Sequence, residues 1–251
     1  MFVGALLALV TSGVFSRLAK LNNHDTEQGL FGFNAALVGI GVLFFYELSL
    51  TSIALVIMGA ILSCLLMKMM LQYIKAFPPL TAPFVISMWL ILVTGSFLSL
   101  PLNNLAVSFV EMDYFSIFRG VGQVMFQDYW LTGLLFLIGV ALHNIKAASW
   151  LTLGSILGAL SANLMGFPED SISLGLFGFN ASLVAVAVSS RYSGFIKPVI
   201  GIMISVLIMR LFQVYNLPAL TAPFILSTWI ILSFKFSCLY RLQKLVELKN
   251  K

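Results

Sequence analysis

Long runs of residues without a charge, cut by short polar breaks, make up nearly all of this chain. Runs of roughly 17 to 25 apolar residues have the length of a membrane-spanning helix. The breaks predict spans at 1–17, 28–46, 51–72, 80–100, 129–142, 147–165, 171–189, 195–212 and 220–240. A stretch such as "LVIMGAILSCLLMKMM" (55–70) is apolar on every face. Strands of a membrane barrel alternate apolar and polar positions instead. The predicted class is therefore all-α. One weaker stretch, 112–126 ("MDYFSIFRGVGQVMF"), is too polar and glycine-rich to face lipid. Backbone of that kind is tolerated at membrane depth only as a re-entrant segment buried in protein or lining a wet cavity.

Composition sharpens this picture. Hydrophobic residues make up 60% of the 251 and charged residues 9%, where soluble domains carry about a quarter charged. No room is left for a soluble domain, so one integral membrane domain is expected. "MFVGALLALVTSGVF" lacks both a basic stretch before it and a small-residue cleavage site after it, so it reads as a spanning helix rather than a signal peptide. Cys64 and Cys238 lie inside apolar runs and suggest neither a disulfide framework nor a metal site. The formal charge of +5 comes without a basic patch interleaved with aromatics, which argues against a nucleic-acid partner.

Two phrases are written twice. "GLFGFNAALV" at 29–38 returns as "GLFGFNASLV" at 175–184, and "LTAPF" at 80–84 returns at 220–224, each time after a proline and before an apolar run with a tryptophan. Two phrases in the same order at nearly the same offset mark two homologous halves, 1–104 and 105–251. Halves of about five spans each, an odd number, must be inverted relative to one another, as in many transport folds.

Charge tests the threading. With the C-terminus in the cytoplasm, Arg17, Lys20, Lys68, Lys75, Lys146, Arg191, Lys197, Lys235, Arg241, Lys244, Lys249 and Lys251 fall inside, and only Arg119 and Arg210 outside. Glu47, Glu111, Asp113, Asp128, Glu169 and Asp170 gather outside. That bias is what the positive-inside rule requires. The second half opens with 112–126 and the 129–142 span, for which the first half has no counterpart. The first half is thus expected to lack its N-terminal re-entrant segment and first helix.

Candidate chemistry is sparse. No phosphate loop, dinucleotide fingerprint, metal-spaced His/Cys cluster or catalytic Ser/His/Asp set is present, so no enzyme, cofactor or metal is expected. His24 and His143 read as solvated or capped histidines. Lys68, Lys75, Arg210 and Lys235 lie near span ends, where long side chains snorkel to the interface. Glu47, at the end of a span, comes nearest to a membrane-embedded carboxylate. Without charges at membrane depth the natural cargo is a neutral solute, although sodium sites made of backbone carbonyls leave no trace in such a test.

The repeated phrases supply candidates. Their glycines let helices approach closely, and Phe33 and Phe179 then occupy matching positions, either as ordinary packing or as two aromatic faces of a slot for a flat molecule. Asn34 and Asn180 read as polar glue between helices. Thr81 and Thr221, two residues before Pro83 and Pro223, carry an N-cap pattern, and the same hydroxyls at mid-membrane would face a passing solute. Gln123 is either a polar loop residue or a neutral donor and acceptor beside the unpartnered carbonyls that end a re-entrant helix.

At these residues the chain resembles the urea transporter family. "LPALTAPF" (217–224) fits the family's L-P-x-x-T-x-P-F pattern in full, and "FPPLTAPF" (77–84) departs only in its first residue. Both glycine phrases look like the family's G-x-x-G-[FY]-N-x-x-L-V stretch, and "GVGQVMFQDYWLTG" (120–133) looks like its glutamine-bearing pore segment. The resemblance implies a homotrimer with a pore in each subunit that passes urea down its gradient across the cytoplasmic membrane without ion coupling. It further implies that Phe33 and Phe179 are slot phenylalanines, with Leu37 and Leu183 one turn further along. Gln123, Val124 and Phe126 would belong to the pore segment, and Thr81 and Thr221 would present hydroxyls near the constriction. Competing expectations are a channel for another small neutral or amide-like solute and a non-conducting membrane scaffold. A membrane enzyme fits least.

Overall fold

The structure is a computed structural model that describes residues 1–103, 116–127 and 129–234. The charges expected at Glu111, Asp113, Asp128, Lys235, Arg241, Lys244, Lys249 and Lys251, together with Cys238, the opening of the 112–126 stretch and the 104/105 boundary, lie outside the described residues. Among those described, regular structure is helical throughout, apart from one isolated bridge between Tyr46 and Leu102. In chain order the helices are α1 (Phe2–Leu18), α2 (Asn23–Glu27), α3 (Leu30–Phe45), α4 (Leu50–Tyr73), α5 (Ala82–Phe97), α6 (Ser116–Gly122), a 3-10 turn (Gln123–Met125), α7 (Trp130–His143), α8 (Ile145–Leu164), α9 (Glu169–Ser173), α10 (Leu176–Ser189), α11 (Ile196–Val214) and α12 (Ala222–Phe234). Within the described residues, α4, α8 and α11 are long and apolar enough to cross a bilayer, and α6 with its 3-10 turn and α7 form an apolar pair bent by 78°, the geometry of a broken span or of a re-entrant loop. A 16-residue helix such as α3 reaches about 24 Å, close to a bilayer's hydrocarbon thickness of about 30 Å. Large apolar side chains such as Leu50, Phe97 and Leu142 stay exposed, as a lipid solvent permits.

The chain divides into two compact units, Met1–Ser108 with Leu220–Ala222, and Phe109–Ala219 with Pro223–Lys251. In the first, α1 buries a column of small residues one turn apart, Gly4, Ala8, Ser12 and Ser16. That column lets α1 lie on α3 with backbones touching, for a methyl on Gly39 would come within 2.8 Å of the Ala8 Cβ. Ser12 also receives the buried Cys64 thiol of α4 at 3.3 Å, which places this cysteine in the core as expected. Helix α4 starts with a reciprocal cap, the Ser52 N–H donating to Ser49 Oγ at 3.1 Å and the Ser49 N–H to Ser52 Oγ at 2.8 Å.

The second unit repeats this logic along α8 and α10. Gly154 and Gly158 sit against Ala181 and Ser182, and the Ser182 hydroxyl donates to the Leu151 carbonyl at 2.8 Å. Matching contacts recur in both units. Gly59 of α4 lies against Val38 and Ile91, and Gly201 of α11 against Val184 and Ile231.

The spans foreseen at 28–46 and 171–189 begin later than the apolar pattern suggests. Gly29 (φ 73°) and Gly175 (φ 78°) are N-caps in the left-handed region, where a side chain is penalised. Each glycine turns the chain from a one-turn polar helix, α2 or α9, into the long apolar one. His24 lies exposed in α2 and His143 exposed at the end of α7, so both are solvated as read. Glu47 is exposed beyond α3.

Candidate functional site

The two repeated phrases meet through their asparagines. Asn34, buried inside α3, accepts the Phe84 N–H of α5 on its Oδ1 at 3.1 Å and donates from Nδ2 to the Leu80 carbonyl at 3.2 Å. In the second unit the buried Asn180 of α10 accepts the Phe224 N–H of α12 at 3.0 Å. Within each unit, the asparagine of "GLFGFN" thus caps the helix opened by "APF". Buried N–H groups at a helix start need such a partner. The role of glue between helices holds, and it takes this specific form.

Thr81 stands at the N-cap position of α5, yet its side chain makes no capping hydrogen bond. This corrects the N-cap reading. The N–H of the third helical residue, Phe84, which a threonine cap would bind, already belongs to Asn34. The Thr81 hydroxyl instead pairs with the Thr221 hydroxyl at 2.7 Å, and Leu220–Ala222 packs as part of the first unit. Both threonines are buried. The residue before each, Leu80 (φ 53°) and Leu220 (φ 47°), is left-handed, which is strained for a leucine and found where surrounding structure imposes it.

The glutamine-bearing segment is held by its side chains. Gln123 donates from Nε2 to the Leu174 carbonyl at 3.0 Å, and the buried Arg119 guanidinium lies 3.5 Å from the Ser173 carbonyl. Both acceptors close α9, where unpaired carbonyls and the helix dipole favour a donor or cation. Backbone contact reinforces the docking, since a methyl on Gly175 would collide with the Gly120 amide. Behind Gln123, Val124 is buried and Phe126 is left-handed (φ 57°), its N–H donating to the Gln123 carbonyl at 3.0 Å. The Gly122 carbonyl accepts the Gln127 N–H at 3.2 Å. Part of the expected acceptor row is therefore used by the turn itself, though each carbonyl retains a second lone pair.

The aromatic candidates differ between units. Phe33 is exposed on α3 while Leu37, one turn on, is fully buried; on α10 Phe179 is buried and Leu183 half-buried. Within the units the structure joins Asn34 to α5, Thr81 to Thr221, Asn180 to α12 and Gln123 to Leu174. Sequence reasoning missed the capping role of the asparagines and the anchoring role of Arg119. The common offset of the two phrases was the signal for the first; nothing local marked the second.

A family model matches residues 1–236, and its description is urea transporter. The chain belongs to the urea transporter family. This is a family of membrane-embedded, multi-pass transporters rather than enzymes. Among relatives, urea transporter 1 of Rattus norvegicus is 27% identical over 215 residues, a match covering 75% of this chain and 54% of that protein. Urea transporter 1 of Mus musculus is 26% identical over 277 residues, covering 95% and 70%. Urea transporter 1 of Ovis aries is 28% identical over 216 residues, covering 75% and 54%. The chain thus spans little more than half the length of the rat and sheep proteins it matches.

Proposed function

We propose that this chain is a passive urea channel of the cytoplasmic membrane, a homotrimer with its C-terminus inside and a route for urea in each subunit. In this reading the chain is two inverted halves, 1–104 and 105–251. Phe33, Leu37, Thr81, Gln123, Val124, Phe126, Phe179, Leu183 and Thr221 line the route. Urea is flat and neutral, with four N–H donors and one carbonyl, so it suits apolar walls at its faces and acceptors at its edges.

The observation that carries the reading is the Thr81–Thr221 pair in a member of this family. Two buried hydroxyls released from capping use one donor between them and keep lone pairs to spare. An ion in such surroundings would give up hydration that hydroxyls and phenyl rings cannot replace. Stopped-flow efflux of urea from proteoliposomes tests this. Efflux well above that of protein-free liposomes is expected, and equal rates with a folded, inserted protein would sink the reading.

A further inference from the structure

At the start of α5 each of the first four residues is accounted for. The Ala82 N–H donates to the Pro79 carbonyl at 3.0 Å, Pro83 has no N–H to satisfy, Phe84 donates to Asn34 and Val85 to the Thr81 carbonyl at 3.0 Å. The donor at Phe84 is the one an N-cap hydroxyl normally takes. Thr81 is in place to take it and does not. At α12 the Phe224 N–H is likewise served by an asparagine, Asn180, and Thr221 stands three residues before it.

We propose that Asn34 and Asn180 are positioning residues: by capping α5 and α12 from neighbouring helices they release the Thr81 and Thr221 hydroxyls to face each other. The proposal rests on the reading of that pair as part of the urea route. The asparagines touch no solute themselves. Their second contact in the first unit, from Asn34 Nδ2 to the Leu80 carbonyl, holds the left-handed residue that aims Thr81. Without the asparagine, the Phe84 N–H falls to the N-cap hydroxyl of Thr81, its ordinary partner, which would rotate back to cap its own helix and leave Thr221.

Four chains decide the matter: the natural one, Asn34→Leu, Thr81→Val and the double variant, each read by thermal unfolding in detergent and by urea efflux from proteoliposomes. In the unfolding series, Thr81→Val is expected to lower the midpoint more in the Asn34→Leu background than alone, because there the hydroxyl has become the cap. An equal drop in both backgrounds would overturn the release from capping. In the efflux series, Asn34→Leu is expected to slow urea about fivefold or more, the scale of one hydrogen bond, but less than about twofold once Thr81 is valine. Equal slowing in both backgrounds would make Asn34 merely structural and overturn the positioning role with the urea reading intact. Absent efflux from the natural chain would sink the urea reading, and the unfolding series would still judge the cap. Asn180→Leu with Thr221→Val gives the same comparison at α12 should Asn34→Leu not fold.

Discussion

The same glycine, written twice in "GLFGFN", carries two different loads. Gly29 and Gly175 share a left-handed conformation, but a methyl on Gly29 would meet nothing within 4 Å whereas one on Gly175 would strike the backbone of Gly120 and Arg119. Gly29→Ala should therefore cost only the conformational penalty, roughly 1–2 kcal/mol. Gly175→Ala adds an overlap that only a shift of α6 can relieve, and α6 carries Gln123 into position through the turn that follows. Thermal unfolding in detergent should rank Gly175→Ala well below Gly29→Ala, and equal midpoints would show that α6 does not dock on this glycine. The threonines make the complementary case, where shape is kept and chemistry is lost. Thr81→Val and Thr221→Val each remove one hydroxyl at nearly constant volume. Each should slow urea efflux severalfold, on the scale of about one hydrogen bond, with little change in yield or size-exclusion profile. Unchanged efflux in both would remove the pair from the route.

Helix ends show where the pattern of apolar runs was informative and where it was silent. Long apolar runs announced α1, α3, α4, α5, α7, α8, α10, α11 and α12, because a bilayer selects for length and apolarity and both are visible locally. The one-turn helices α2 and α9 went unseen, since five residues are too few for any periodicity. The interlock of the site was hidden for a different reason: Asn34 and Phe84 are 50 residues apart, and nothing in either phrase names its partner. Even so, the repeated order of the phrases pointed to the asparagines and threonines that these hydrogen bonds join. Their termination also follows one rule. Helices α1, α5, α8 and α11 end in the same paired-bond motif, with Lys20, Ser99, Gly166 and Asn216 left-handed just past the end. Glycine is the residue that suits this position, and only α8 has it. Lys20 is exposed, so Lys20→Gly exchanges a left-handed penalty of roughly 1–2 kcal/mol for a looser unfolded chain, about 0.4–1 kcal/mol. A net gain of several tenths of a kcal/mol is expected, seen as a small rise in the unfolding midpoint. Gly166→Lys should lower the midpoint in turn, and movement in the opposite direction for either would contradict the motif.

For the molecule as a whole, the distribution of charge bears on what can drive transport. Among the described residues, Arg119 is the buried charged side chain, and its guanidinium lies 3.5 Å from the Ser173 carbonyl. Lys68, Lys75, Arg191 and Lys197 are exposed at or near helix ends, and Arg210 lies over the Phe167 ring at 5.5 Å. Proton coupling needs a titratable group that is bound in one state and released in another, usually buried beside the substrate. The hydrogen bonds of the threonines, of Asn34 and of Gln123 described above run to a hydroxyl, a backbone N–H and carbonyls. No His, Cys, Asp and Glu group fit for a metal is found among the described residues. Urea efflux from proteoliposomes should therefore keep the same rate between about pH 6 and 8, the window in which histidine titrates. It should also be unchanged when sodium is replaced by choline and when a proton ionophore is added. A rate that collapses under any of these conditions would place a coupling ion on the route and overturn passive transport, while leaving membership of the family untouched.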